Sequence, residues 1–122
     1  MKKEIIVSGG AGFIGSNIVN ELIKKNYIVY VFDNLSTGNI NNLNNGKIHF
    51  INIDLKNDYK KWPSIDACKF FHFAANADVK GGLINHNIDL NENLIVTKNV
   101  CDYCISNNIE ELIFASSATV YG

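Results

Sequence analysis

A glycine-rich turn near the N-terminus constrains the fold of this chain more than any other feature. The sequence Gly-Gly-Ala-Gly-Phe-Ile-Gly occupies residues 9–15, between a β-branched run over residues 4–8 and apolar residues at helical spacing over residues 13–25. In that context, glycines permit a sharp turn at Gly9, close approach of a ligand at Gly12 and tight helix packing at Gly15. The pattern predicts a dinucleotide pyrophosphate at the helix N-terminus, and the alternative is a plain strand-to-helix turn.

The rest of the chain alternates between strand and helix patterns. Apolar runs predict strands over residues 27–32, 47–53 and 67–73 and a fifth strand from Leu112, while Asn26 is expected to close the first helix. A short helix is expected over residues 58–63, and apolar positions outline a long helix at Leu90, Leu94, Ile95, Val100 and Ile105. Such alternation implies a parallel sheet with right-handed crossovers. We therefore expect one domain, residues 1–122, with an α/β Rossmann-type doubly wound fold, helices on both faces, ending after the fifth strand.

Asp33 is the acidic residue at the end of the predicted second strand. A carboxylate there can accept hydrogen bonds from the adenosine ribose hydroxyls of a dinucleotide and would repel a 2′-phosphate. The sequence contains no arginine, and no lysine closely follows the glycine turn or Asp33. These features favour NAD over NADP, and the alternative is that Asp33 only caps a turn.

The overall composition argues against nucleic acid and membranes as partners. A net charge of -1 gives no general attraction for nucleic acid or anionic lipid, so any phosphate must be bound locally. No run is apolar enough to span a membrane, and the N-terminus lacks the pattern of a signal peptide. Three cysteines form an odd set that suits a reducing compartment. We expect a cytoplasmic protein without nucleic-acid or membrane partners.

Four further motifs, together with the glycine turn, carry a family resemblance. They are Asp-Asn-Leu-Ser-Thr-Gly at residues 33–38, Asp54-Leu55, His-Phe-Ala-Ala at residues 72–75 and Ser-Ser-Ala-Thr-Val-Tyr-Gly at residues 116–122. In this order the motifs resemble those of the NAD-dependent epimerase/dehydratase family, the extended short-chain dehydrogenases/reductases. The first and last of them are typical of the UDP-glucose (UDP-galactose) 4-epimerase branch.

The resemblance implies a set of residues that bind NAD. The glycine turn contributes Gly9, Gly12, Phe13, Ile14 and Gly15, and the turn after the second strand contributes Asp33 and Asn34 at the adenosine ribose, followed by Ser36, Thr37 and Gly38. The expected residues farther along the chain are Asp54 and Leu55 beside the adenine, Phe73, Ala74 and Ala75 along the dinucleotide, Lys80 near the nicotinamide ribose or phosphates, and Asn93. Lys80 has an alternative interpretation as a solvated loop lysine. No metal site is expected.

Ser117 is the one expected catalytic residue. By resemblance it hydrogen-bonds the sugar hydroxyl that is oxidised, while the family's base is the tyrosine of a Tyr-x-x-x-Lys motif whose lysine lowers the tyrosine pKa. None of the five tyrosines here is followed by lysine four residues later. The family's dehydratases have an Asp-Glu pair where this chain has Ala118 and Thr119, so the resemblance favours epimerisation.

These patterns lead to two functional hypotheses. In the first, the chain is the N-terminal portion of a UDP-sugar 4-epimerase that binds NAD but does not catalyse by itself, and the enzyme forms a homodimer through the long helix near residues 90–105, leaving an apolar face uncovered in this chain. In the second, it is a non-catalytic NAD-binding sensor or partner-binding module. A reading frame that continues with Tyr-x-x-x-Lys would favour the first, and a natural stop the second.

Three other signals receive structural interpretations. Cys101-x-x-Cys104 falls within a predicted helix and has no second ligand pair, so core or surface thiols are expected rather than a redox or zinc site. His72 lies within a predicted strand and is expected to be buried and hydrogen-bonded. The lysines of residues 56–61, around Trp62, are expected to form a solvated face.

Overall fold

The computed structural model describes residues 3–9, 13–34, 48–73 and 86–114. The strands are β1 (Glu4–Ser8), β2 (Ile28–Asp33), β3 (Ile48–Asn52), β4 (Lys69–His72) and β5 (Glu111–Phe114). The helices are α1 (Phe13–Lys24) and α2 (His86–Ser106), with a 3₁₀ turn at Tyr59–Lys61. The predicted order of elements is confirmed, and the short helix expected over residues 58–63 is a single 3₁₀ turn in which the Lys60 amide donates to the Asp58 carboxylate.

All five strands are parallel and pair in the order β3-β2-β1-β4-β5. Successive strands move outward from β1 through β2 to β3, and the chain then returns to place β4 on the other side of β1. This arrangement confirms the predicted Rossmann-type sheet. It creates a topological switch point between β1 and β4, where open α/β sheets bind ligands beyond the carboxyl ends of their strands.

The end of α1 follows from one residue with a positive φ angle. Asn26 adopts φ 69°, and its amide donates to the carbonyl of Ile23, while the Tyr27 amide donates to the carbonyl of Leu22. Asparagine tolerates this left-handed conformation better than most residues, and the two bonds satisfy carbonyls that the helix end leaves open. The prediction that Asn26 closes the helix is confirmed.

Each sheet face carries its own core. The α1-face core is aliphatic and consists of Ile5, Val7, Val19, Ile23, Val29 and Val31. The α2-face core contains Ile6, Phe32, Leu55, Trp62, Ile65, Ala67, Phe70, Val100, Tyr103, Cys104 and Ile109. In the second core Phe32 makes edge-to-face contacts with Trp62, Phe70 and Tyr103 at ring-centroid distances of 6.1, 6.0 and 5.9 Å. Lys56, Lys60 and Lys61 are exposed, as the solvated-face interpretation of residues 56–61 predicted, whereas Trp62 beside them is buried in the α2-face core.

Helix α2 uses fewer of its apolar positions for the core than the sequence suggested. Val100, Tyr103 and Cys104 are buried against the sheet. In contrast, Leu94, Ile95 and Ile105 are 59%, 47% and 75% exposed. The apolar positions that revealed the helix thus occupy both its inner and its outer surface. Within the described ranges, neither helix is both long and apolar enough to cross a membrane.

Candidate dinucleotide site

The carboxyl edge of the sheet brings together the ends of five strands. Strand pairing places Ser8 beside both Phe32 and His72, places Asp33 beside Asn52, and places His72 beside Phe114. Helix α1 begins at Phe13, shortly after β1 ends, so its N-terminus lies at this same edge. The positive end of the helix dipole suits a phosphate there, and so do first-turn amides, which in any α-helix have no partner within the helix.

Gly9 starts the turn between β1 and α1. Its φ angle is 72°, and its amide donates to the carbonyl of Phe32 over 2.9 Å. A side chain at this position would crowd the following carbonyl at a cost of about 1–2 kcal/mol, because the conformation is left-handed, so glycine is favoured at the turn. Gly15, in the first turns of α1, is buried, as close helix–sheet packing requires, while Ile14 is 63% exposed.

Asp33 ends β2 on the other side of the glycine turn. It is only 9% exposed, and its carbonyl accepts a hydrogen bond from the Ile53 amide over 3.3 Å. Asn34, the next residue, is exposed. A largely buried carboxylate one strand away from a helix N-terminus matches the position from which the ribose of a dinucleotide is held.

The segment after β3 forms a tight turn at the same edge. The Asp54 carboxylate accepts from the Lys56 amide over 3.0 Å, and the Asp54 carbonyl accepts from the Asn57 amide over 3.0 Å. Asp54 is half-buried, while the Leu55 side chain is 6% exposed and belongs to the α2-face core. Of the two residues expected beside the adenine, Asp54 thus presents its side chain at the edge and Leu55 contributes mainly to packing.

A buried serine and histidine join β1 to β4 at the switch point. Ser8 Oγ lies 2.6 Å from His72 Nδ1 and accepts a hydrogen bond from the Phe73 amide over 3.1 Å. The same amide donates to the Ser8 carbonyl over 2.9 Å. Burial lowers the pKa of His72 to about 4, so its ring is neutral at pH 7, and Phe114 lies edge-on to it at 5.5 Å. The prediction that His72 is buried and hydrogen-bonded is confirmed.

Sequence reasoning missed the role of Ser8. The available signal was a hydroxyl at the end of an otherwise apolar strand, directly before the glycine turn. Its partner is 64 residues away in the chain and meets it only through the register of β1 with β4.

Several expected residues lie outside what the structure describes. They are Gly12, Ser36, Thr37, Gly38, Ala74, Ala75, Lys80 and Ser117. Phe13 and Asn93 belong to α1 and α2, where their backbone is helical. The described part of the site therefore comprises Gly9, Ile14, Gly15, Asp33, Asn34, Asp54, Leu55 and Phe73.

The comparisons with known proteins agree with this geometry. The family model of the NAD dependent epimerase/dehydratase family matches residues 5–122. This chain belongs to that family. A Methanocaldococcus jannaschii relative, provisionally named a UDP-glucose 4-epimerase, is 40% identical over 121 residues, which are 97% of this chain and 39% of the relative.

Solved structures of family members share the fold. The UDP-N-acetylglucosamine 4-epimerase of Methanobrevibacter ruminantium, in complex with UDP-N-acetylmuramic acid, is 39% identical with a TM-score of 0.84 over 100% of this chain and 40% of its own. The UDP-glucose 4-epimerase of Thermus thermophilus, in complex with NAD, is 33% identical with a TM-score of 0.85 over 93% of this chain and 37% of its own. The chain thus spans about two-fifths of these relatives, and the resemblance found in the sequence is confirmed.

NAD is the cofactor of this epimerase/dehydratase family, and the described residues fit it. Gly9 follows β1 in a left-handed turn, helix α1 begins at Phe13, and the Asp33 carboxylate lies at the neighbouring strand end, which is the arrangement that a dinucleotide requires. When bound, NAD supplies a reversible hydride acceptor.

The thiols at Cys101 and Cys104 are packing residues rather than reactive groups. Burial raises the pKa of Cys104 to about 12, so that the thiol stays protonated at neutral pH, and Cys101 is half-buried. Among the described residues, no cluster of three or more histidine, cysteine, aspartate or glutamate side chains is arranged to hold a metal ion. Of the core or surface thiols expected at Cys101-x-x-Cys104, Cys104 thus belongs to the core and Cys101 lies partly at the surface.

Proposed function

We propose that this chain is the NAD-binding portion of a UDP-sugar 4-epimerase. The observation that carries the proposal is the left-handed Gly9 turn at the β1/β4 switch point, with the buried Asp33 at the adjoining strand end. Relatives named as 4-epimerases of UDP-glucose and of UDP-N-acetylglucosamine support the reaction class. In that reaction a sugar hydroxyl at C4 is oxidised to a ketone and then reduced again from the opposite face.

Each residue of the proposed site is assigned to one part of NAD. Gly9, Gly12 and Gly15 bring the backbone and the N-terminus of α1 to the pyrophosphate, with Phe13 and Ile14 beside it. Asp33 and Asn34 hold the adenosine ribose, followed by Ser36, Thr37 and Gly38. Asp54 and Leu55 form the adenine end, and the remaining expected contacts are Phe73, Ala74, Ala75, Lys80 and Asn93. Ser117 hydrogen-bonds the sugar hydroxyl and positions it for proton removal.

NAD is preferred over NADP in this proposal because of charge. A 2′-phosphate would lie against the Asp33 carboxylate, and the sequence offers no arginine to compensate. Asp33 is nearly buried, so water screens its charge poorly and the repulsion is strong.

The 122 residues by themselves are proposed to bind NAD without catalysing. No Tyr-x-x-x-Lys motif occurs in the sequence, so the proton that leaves the sugar hydroxyl has no matching acceptor here. This same observation favours the second candidate, a non-catalytic NAD-binding sensor or partner-binding module. A reading frame that continues into Tyr-x-x-x-Lys would exclude the sensor, and incubation of the chain with NAD and UDP-glucose should yield no UDP-galactose.

A homodimer through α2 forms part of the proposal. Leu94, Ile95 and Ile105 expose large apolar side chains on the outer surface of this helix. Covering them would remove apolar area from water, so the chain should self-associate at high concentration. Light scattering that shows a monodisperse monomer at millimolar concentration would contradict this. The three free cysteines agree with function in the reducing cytoplasm.

Calorimetric titration of the chain with NAD and NADP tests the cofactor proposal. We expect saturable NAD binding and NADP binding at least tenfold weaker, a difference of about 1.4 kcal/mol. Asp33→Asn should reduce that difference, while Asp102→Asn, which removes a partly exposed charge paired with Lys98 on α2, should leave it unchanged. No NAD binding would refute the proposed function, and tighter binding of NADP would refute the role of Asp33.

A further inference from the structure

Asn99, at mid-length in α2, binds the turn that follows β3. Its Nδ2 donates to the carbonyl of Leu55 over 2.8 Å and to the carbonyl of Asn57 over 3.1 Å. A carboxamide has two N–H donors, and here both reach the same short segment. The Asn99 side chain is half-buried, so these bonds compete less with water than surface bonds would.

The turn that Asn99 holds is the one that presents Asp54. Inside the turn, Asp54 accepts from the amides of Lys56 and Asn57. These inner bonds close the turn on itself, and the two carbonyls that accept from Asn99 attach it to α2. The orientation of Asp54 at the sheet edge therefore depends on a helix that lies behind the turn.

An open groove of about 390 Å³ lies beside the turn, within the range of about 300–1,000 Å³ that ligand pockets occupy. Its described lining is Asn52, Ile53, Asp54, Asn57, Asp58, Lys61 and Trp62. Asp54 and Asn57 belong both to this lining and to the turn held by Asn99. A change at Asn99 should therefore alter the groove without touching it.

Two further residues, one in the last turn of α2 and one directly after it, provide a comparison. Tyr103 donates its hydroxyl to the carbonyl of Pro63 over 2.7 Å, and Asn107 accepts from the Ser64 hydroxyl over 2.6 Å. Tyr103 lies one turn after Asn99 on the same face of α2, and Asn107 follows the last residue of the helix, where its amide still donates to the Tyr103 carbonyl. They attach the C-terminal end of α2 to residues 63–64, several residues beyond the turn. A variant at one of them therefore shows what the loss of such an attachment does when the turn itself is not involved.

We infer that Asn99 is a positioning residue for recognition of the adenine base. The inference rests on the proposed function, in which Asp54 and Leu55 form the adenine end of the NAD site. Asn99 holds the turn by donating to two of its carbonyls, and the turn orients the Asp54 carboxylate. That carboxylate accepts a hydrogen bond from the 6-amino group of adenine. Hypoxanthine carries a 6-oxo group, which cannot donate this bond, so the preference for adenine depends on the aim of Asp54.

The test compares AMP with IMP, which differ in that group, on the whole chain by calorimetry. The wild type should bind AMP about tenfold more tightly than IMP. Asn99→Asp keeps the shape but turns donors into acceptors that repel the two carbonyls, and it should reduce this ratio to about twofold or less. Asn99→Ala removes the donors without adding charge and should do the same if the aspartate variant fails to fold. Asn107→Asp, the matched control, should preserve the wild-type ratio even where it lowers stability.

Each other outcome is decisive. A wild type that binds neither NAD nor AMP refutes the proposed function and this inference with it. A wild type that binds NAD but does not distinguish AMP from IMP refutes only the inference. An unchanged ratio in both Asn99 variants, or an equal loss of the ratio in Asn107→Asp, shows that Asn99 is only a structural tie.

Discussion

The two faces of the sheet are stabilised in different ways. The α1 face is packed with Ile and Val side chains from β1, β2 and α1, contacts that have no preferred direction. The α2 face is packed with aromatic rings in edge-to-face arrangements and attached by side-chain hydrogen bonds, which Asn99 and Tyr103 donate and Asn107 accepts. One face is held by burial, and the other by burial together with directional contacts.

The difference follows from what each helix must position. Helix α1 continues directly from the glycine turn, so close packing on a smooth aliphatic surface is sufficient to place its N-terminus at the carboxyl edge. Helix α2 is attached to the connection between β3 and β4, residues 53–68, which has little regular structure of its own. Directional bonds give that connection a defined conformation.

The largest effect is expected at the centre of the aromatic core. Phe70 is fully buried and contacts both Phe32 and Tyr103 edge-to-face. Phe70→Ala should lower the free energy of unfolding by about 3–5 kcal/mol, measured by urea denaturation. Ile5→Val on the aliphatic face should cost only about 0.5–1.5 kcal/mol. A loss below about 1.5 kcal/mol for Phe70→Ala would contradict tight packing of this aromatic core.

The buried His72 should make stability depend on pH. Its pKa is lowered from 6.5 to about 4 in the folded chain, so between these values the unfolded chain binds a proton that the folded chain does not. The contribution of His72 to the free energy of unfolding should therefore be complete above pH 6.5. It should fall by on the order of 3 kcal/mol as the pH decreases to 4, and it should change no further at lower pH. His72→Gln should remove most of this dependence in denaturation curves taken across that range, and an unchanged pH profile would contradict it.

The glycine turn should be sensitive both in stability and in binding. Gly9→Ala places a Cβ at φ 72° and should cost about 1–2 kcal/mol, while weakening NAD binding because the turn moves. Asn108→Ala is the matched control, since Asn108 has φ 57° after the end of α2, far from the carboxyl edge. It should lose stability comparably and bind NAD as the wild type does. Equal effects on NAD affinity would show that Gly9 acts through stability alone.

The smallest effect is expected for a single directional bond. Tyr103→Phe keeps the buried ring and removes the hydrogen bond to the Pro63 carbonyl. It should cost about 0.5–1.5 kcal/mol in thermal or urea unfolding. Burial raises the pKa of Tyr103 to about 12, so the wild-type hydroxyl remains a donor throughout the neutral range. A loss as large as that of Phe70→Ala would mean that side-chain hydrogen bonds, rather than ring packing, contribute most of the stability of the α2 face.

The sequence predicted the features that depend on local pattern. The strand runs, the turn at Gly9, the helix end at Asn26 and the position of Asp33 each follow from a few neighbouring residues. The features that it did not predict depend on contacts between distant segments. Ser8 meets His72 through strand register, Trp62 is buried because α2 and β2 lie over it, and Asn99 finds its partners 42 and 44 residues away. Leu94, Ile95 and Ile105 were indistinguishable from core positions because apolar residues occur on both sides of α2.

The central claim is that NAD binds at the carboxyl edge of the sheet, and amide NMR of the isotope-labelled chain titrated with NAD tests it most directly. We expect saturable shifts at Gly9, Ile14, Asp33 and Asn34, and unchanged resonances at Tyr27 and His49, which line a groove at the opposite edge. Absence of saturable shifts, or shifts confined to the opposite edge, would contradict the account.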